Sequence, residues 1–271
     1  MNRKQRREIP KEKLFVVVND TKKIDFTKKF EFIYFDFWFQ LLDYPVVAFL
    51  TLVAALCSLY FSLQVIGRKN KKILRRQGCI TVSNHCHYFD TVFAGMILFP
   101  QRLYITSAQR NFEVPYVRRL LRLVRAFPIP ARPHDGFEMI AGPVGEALRR
   151  GHHVHFLPEG ELVYGSQEIY RFKSGAFRMA YLHQAPIVPM CYVLTPRRIF
   201  GRLQNPHWPK MRLVFGEPLF PPARRPDETL PQEEINGMME KVALWMEATI
   251  AKYQGQTIPQ TAAGVPVDQT I

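Results

Sequence analysis

Cysteine is scarce in this chain: of 271 residues only Cys57, Cys79, Cys86 and Cys191 are cysteines, and no two of them form a CxxC pair. That spacing excludes a disulfide framework and a cysteine-held zinc site, and it fits a reducing compartment. Acidic residues are also outnumbered, 23 against 37 Lys and Arg, for a formal net charge of +14. Such a balance directs the surface toward polyanions, which include both nucleic acid and anionic membrane. Helix-turn-helix, RNA-binding aromatic and zinc-finger signatures are all missing, so nucleic acid is not the expected partner. The basic start "MNRKQRREIPKEK" is not followed at once by an apolar run with a small-residue cleavage site, and does not read as a signal peptide. No internal repeat is present.

What the chain does have is one long charge-free stretch, Tyr44 to Gly67, preceded by "FEFIYFDFWF", which packs seven aromatics into ten positions. Aromatics gather where protein meets the headgroup layer. The last residues of the stretch, "SLQVI", alternate polar and apolar as a half-buried strand does. The helix is thereby limited to 44–61, eighteen residues, near the lower limit of roughly 17 to 25 needed to cross a bilayer. A spanning helix and a half-inserted monotopic one are both open. Downstream, Arg68 to Arg76 holds six basic and no acidic residues. If the helix spans, this places the bulk of the chain on the cytoplasmic face of the cell membrane.

From Ser62 onward, strand-like runs such as "CITVSN", "RLYITSA", "HHVHFLP" and "PIVPMCYVL" alternate with helical segments such as "TVFAGMILF", "VPYVRRLLRLVRAF", "FEMIAGPVGEALRRG" and "GAFRMAYLHQ". The alternation predicts an α/β sheet with helices on its faces. Gly151 after "EALRR" is a helix stop signal. The run "QEEINGMMEKVALWMEATIAKY" spaces Ile235, Met238, Met239, Val242, Trp245 and Met246 at helical intervals and is read as a packing helix. The expected organisation is a basic, aromatic-rich segment 1–43, a membrane-associated helix 44–61, an α/β domain 62–225, an amphipathic helix 226–253 and a flexible tail 254–271.

The chemistry concentrates in "VSNHCHYFDT". His85 and Asp90 cannot share a regular helix face, since five steps rotate about 140° away, and they meet only through a turn. If Asp90 opens a helix, its carboxylate can accept the proton of His85 Nδ1 and leave Nε2 as a base. Asp90 as a simple helix cap is the competing explanation. Cys86 as a thiol nucleophile, and His85 with His87 as a metal pair, rank lower. Adjacent side chains point apart, and further ligands are missing. His153 and His155 share one face of a strand, read as a surface or edge strand.

Three more stretches follow: "HFLPEGE", a Pro158-Glu159-Gly160 loop after a strand; "RFKSGAF", with Arg171 and Lys173 before a helix; and "APIVPM". In this order, behind a membrane-seeking helix, "NHCHYFD", "FLPEG", "RFKSGAF" and "APIVPM" resemble the glycerolipid acyltransferase family that includes bacterial 1-acylglycerol-3-phosphate acyltransferase, over roughly residues 62 to 220. The resemblance implies a mixed sheet flanked by helices, glycerol-3-phosphate acyltransferase-like, preceded by the membrane-associated helix. It implies His85 as general base and Asp90 as its orienting partner. The donor would be acyl-CoA or acyl carrier protein, used as co-substrate with no cofactor and no metal. The acceptor would be a lysophospholipid at an anionic membrane surface. Glu159 and Gly160 match the motif associated with the acceptor, and Arg132 in "AFPIPARP" matches the arginine closing the family's second motif. One departure is clear: Glu161-Leu162-Val163 stands where the family often has Thr-Arg-Ser, leaving Arg171 and Lys173 as replacement cations. The competing functions are a thioesterase and a non-enzymatic basic lipid-binding protein.

Overall fold

The structure, a computed structural model, describes residues 6–9, 30–130, 133–199, 202–203, 208–224 and 230–255. Arg132 and nearly all of the 254–271 tail lie outside them. A seven-stranded mixed sheet forms the centre. Its strands run β1 (Gln64–Ile66), β2 (Ile80–Ser83), β3 (Leu103–Ala108), β4 (Ala126–Ile129), β5 (His153–Phe156), β6 (Ile187–Thr195) and, after the two-residue pair β7 and β8 (Arg198–Ile199, Arg202–Leu203), β9 (Lys210–Phe215). The spatial order is β1-β9-β6-β2-β5-β3-β4. The five strands from β6 to β4 are parallel. β9 pairs antiparallel to β6, and β1 lies parallel to β9.

Helices cover both faces, giving three layers. α1 (Phe37–Tyr60) and α2 (Asp90–Leu98) lie on one side. α5 (Pro133–Arg149), α6 (Gly175–His183) and α7 (Gln232–Gln254) lie on the other. β6 shows why two cores form: Cys191 and Val193 face α7, while Met190, Tyr192 and Leu194 face the α1 side. Successive strand residues point to opposite faces, and a strand buried on both faces is apolar throughout. Ile235, Met238, Val242, Trp245 and Met246 of α7 are buried, as its helical spacing predicts. α5 stops at Gly151, whose φ of +77° lets His152 N reach back to Ala147 O at 2.9 Å. "VPYVRRLLRLVRAF" is not one helix: α3 (Gln109–Glu113) and α4 (Pro115–Leu123) precede it and fill its start, and Ala126 onward joins the sheet as β4.

The N-terminal region departs from expectation in two ways. α1 begins at Phe37 rather than Tyr44, because the Asp36 side chain caps it by accepting from Phe39 N at 2.8 Å. The aromatic cluster is also divided: Phe32 and Ile33 are buried in the main core, and only its end, at Phe37 and Trp38, is well exposed. α1 packs against α2 and is pinned near its start by Asp43. That carboxylate takes two 2.9 Å bonds from Arg125 and is approached by Arg102 at 3.2 Å. Asp43 and Arg125 are both buried.

Candidate active site

Parallel strands β2 and β5 are neighbours, so the loops leaving their C-terminal ends meet, which is where open α/β sheets bind ligands. One loop carries His85 and leads into α2, whose first residue is Asp90. His85 Nδ1 lies 2.7 Å from Asp90 Oδ2. The same oxygen accepts from the backbone N–H groups of Cys86 and His87 at 3.2 and 3.3 Å, and Oδ1 accepts from Thr91 N at 2.6 Å. The capping explanation does not hold: Asp90 is the first residue of α2, whose cap is Phe89, and its carboxylate gathers the preceding loop and the His85 ring. The Asp90 side chain is fully buried, whereas that of His85 is 18% exposed. Nε2 of His85 has no hydrogen-bond partner among the described residues.

The other loop carries Pro158-Glu159-Gly160. Gly160 closes a turn onto Leu157 O at 2.9 Å with φ +83°, and a Cβ there would run into the Lys173 side chain. Lys173 N also donates to Pro158 O at 2.7 Å. The chain then folds back: Val163 N and Gly165 N donate to the carbonyls of His85 and Cys86 at 3.2 and 2.8 Å, fastening the two loops together. Asn84 ties the His85 loop to β6, its side chain exchanging two bonds with the Tyr192 backbone at 2.8 and 3.0 Å.

Residues 64–193 match the family described as acyltransferase. This domain belongs to the acyltransferase family. The crystal structure of the 1-acyl-sn-glycerophosphate (LPA) acyltransferase PlsC from Thermotoga maritima is similar over 73% of this chain and 76% of that one, at 17% identity and a TM-score of 0.51. At that identity the likeness is one of fold. A search of curated proteins found no match.

Within the acyltransferase domain, Glu159 is 5% exposed. Burial raises its carboxyl to about 8, against the backbone N–H groups of Tyr170 and His85, which favour the charged form. Near neutral pH it is mostly a neutral acid behind the His85 loop. Lys173 is exposed and overlies Gly160. Arg171 is 69% exposed and turned to Glu8, at 3.0 Å. A further cation, Arg110 of α3, pairs with Glu161 immediately after the Pro-Glu-Gly turn. No local motif marks it, because only the fold of β3 brings α3 to this loop.

Cys86 is buried, its Sγ faces Tyr192 O, and burial holds its thiol well above the usual range. It cannot supply a thiolate nucleophile near neutral pH. His87 turns away from His85: its Nδ1 accepts from Phe89 N and its Nε2 lies 3.3 Å from the Tyr164 hydroxyl. With Tyr60, Phe61, Tyr88, Tyr164 and Trp208 it lines an aromatic cavity of about 370 Å³ between the His85 loop and the end of α1.

The "HHVH" run is not at an edge or surface. β5 sits between β2 and β3, and His153 and His155 are fully buried. Buried polar rings need partners, and His155 finds them in the hydroxyls of Thr81 and Ser83, at 2.8 and 3.2 Å on the adjacent strand. Burial lowers both rings to about 4. Between pH 6.5 and 4 the unfolded chain therefore binds protons that the folded chain refuses. The stability each ring contributes is full above 6.5 and is lost as pH falls, by roughly 3 kcal/mol per histidine. Glu159 works in the opposite direction, gaining stability as pH falls from 8 to 4.5. His155→Asn is expected to remove up to about 1.4 kcal/mol per pH unit from the slope of urea stability between pH 6.5 and 4.5. An unchanged slope would contradict the neutral, buried ring.

Proposed function

We propose that this protein moves a fatty acyl chain from a thioester, acyl-CoA or acyl carrier protein, to the hydroxyl of 1-acylglycerol-3-phosphate or a related lysophospholipid. The observation that carries the reading is the His85–Asp90 contact at 2.7 Å, made through Nδ1, with Nε2 left without a partner among the described residues. Nε2 takes the proton of the acceptor hydroxyl as that oxygen adds to the thioester carbonyl. The C–S bond then breaks, and the departing thiolate takes the proton back from the imidazolium. No acyl-enzyme and no resident cofactor are needed, in keeping with the buried Cys86.

The aromatic cavity beside His87 is assigned to an acyl chain, and the acceptor phosphate to the cations around the Pro-Glu-Gly turn, Lys173 first and Arg110 beside Glu161. Glu159 supports this turn and the base loop from behind. Arg171 joins the phosphate only by leaving Glu8, and Arg132 is carried on family resemblance alone.

α1 is long and apolar enough to cross a membrane. We read it instead as lying in one leaflet at the cytoplasmic face, since a crossing helix in this pose would carry Asp43, Arg102 and Arg125 with it. Much of the helix not packed on the domain is apolar and exposed, with Trp38, Phe49, Leu52, Leu56 and Leu59 more than half accessible. The basic run from Arg68 to Arg76 complements anionic lipid.

The test is a transfer assay in detergent micelles with labelled acyl-CoA or acyl carrier protein and a panel of lysolipids. Label in one diacyl product supports the reading and names the acceptor. Release of free fatty acid alone favours a thioesterase. In the same assay Lys173→Ala is expected to raise acceptor KM about tenfold or more with donor KM unchanged, the scale of a charge-assisted hydrogen bond, and Arg171→Ala to do less. Equal effects on both substrates would place the phosphate elsewhere.

A further inference from the structure

A nine-residue helix on the active-site side of the sheet is turned the wrong way for water. α4, "PYVRRLLRL", has its apolar side chains on one arc and its arginines on the other. In an aqueous protein the apolar arc faces the core. Here none of its residues is buried, and Tyr116, Leu120 and Val117 are 84%, 57% and 40% exposed. Arg122 on the opposite arc packs inward, its guanidinium over the rings of Phe30 and Tyr34 at 5.4 and 5.0 Å.

Scattered surface apolar residues need no explanation, but these are neither scattered nor isolated. α4 touches α1, whose start exposes Phe37, Trp38, Leu41 and Leu42. Asp43 of α1 holds Arg125, two residues beyond the end of α4. Two helices thus present adjoining apolar surface while both are anchored to the sheet. Arg119 is exposed on the flank of the apolar arc, where it complements anionic headgroups. α4 follows β3 through α3, whose Arg110 pairs with Glu161 in the loop beside His85.

We propose that α4 is a second membrane-inserting element, which seats Tyr116, Val117 and Leu120 in the headgroup–acyl boundary of an anionic bilayer and, with α1, fixes the His85 cleft against the leaflet. The proposal rests on the membrane-surface reading of α1 and adds a contact made by the catalytic domain itself. An acceptor then reaches the base from the leaflet without leaving it.

The experiment is flotation of the full chain with vesicles of phosphatidylethanolamine and phosphatidylglycerol in equal parts. It compares wild type, Tyr116→Ser/Leu120→Ser in α4, and Leu52→Ser/Leu56→Ser in α1. Both residues of the α4 pair are exposed and belong to neither buried cluster, so its thermal midpoint and its turnover of a short-chain, monomeric acceptor in solution should match wild type. Its vesicle partitioning is expected to fall on the order of 10- to 100-fold, about tenfold or less per apolar side chain withdrawn. Part of wild-type binding should persist at about 1 M salt, where surface charge is screened within roughly 3 Å. Wild-type binding that the α4 pair leaves unchanged, while the α1 pair abolishes it, overturns the role of α4 alone. Failure of wild type to float overturns the membrane reading as well. Unchanged flotation with a loss of oligomer mass in the α4 pair would assign the face to a second copy of this chain and overturn the proposal.

Discussion

Replacing His85 with alanine is expected to lower acyl transfer by about 10² to 10⁴ while the protein stays folded, the scale of general-base loss. The fold should tolerate the change because Asp90 Oδ2 still receives the backbone N–H groups of Cys86 and His87. Asp90→Asn should lower turnover to a similar degree and also destabilise. The amide must set its NH2 either against the Oδ2-side donors or against Thr91 N, which approaches Oδ1 at 2.6 Å. A mismatched buried donor costs about 1 to 3 kcal/mol. Transfer by the purified variants, beside their urea midpoints, separates the two effects. Near-normal turnover in folded His85→Ala would end the general-base mechanism.

The largest stability effect is expected at Asp43. Truncating it to alanine leaves Arg125, with 2% of its side chain exposed, without its bidentate partner, and Arg102 without its second contact. Removing one member of a buried ion pair costs roughly 3 to 5 kcal/mol, most of it the penalty of an uncompensated charge. Urea unfolding measures the loss. The double variant Asp43→Ala/Arg125→Met should recover part of it, because the more deeply buried of the two guanidinium groups is gone and only Arg102 is left without Asp43. If the single variant loses less than about 1 kcal/mol, α1 is not held to the sheet by this pair, and a helix free to leave the domain again becomes able to span.

Some of this architecture is local and therefore readable from the chain. The turn from Ser83 to Asp90 needs only short-range geometry to bring an imidazole to a carboxylate, and the strand–helix alternation shows as a change of period. The cap at Gly151 and the packing face of α7 are of the same kind. The buried histidines of β5 were misread for a non-local reason. A polar pair on one strand face looks solvent-exposed until the partners are known, and those partners, Thr81 and Ser83, lie more than seventy residues earlier. Arg110 was invisible for the same reason, since its place beside Glu161 follows from the position of β3 in the sheet.

By itself the sequence determined a helix-flanked α/β sheet, an apolar N-terminal helix, and a histidine with a carboxylate five residues on at the end of a strand. Each of these is written in spacing over a few neighbouring residues. Only the tertiary structure decided that the chain after Pro-Glu-Gly is fastened to the His85 loop, with Lys173 above Gly160. It also decided that Asp43 clamps the apolar helix to the sheet and that α4 turns its apolar face outward. These are contacts between segments distant in sequence, and the sheet order β6-β2-β5-β3, which no local periodicity encodes, is what brings them together.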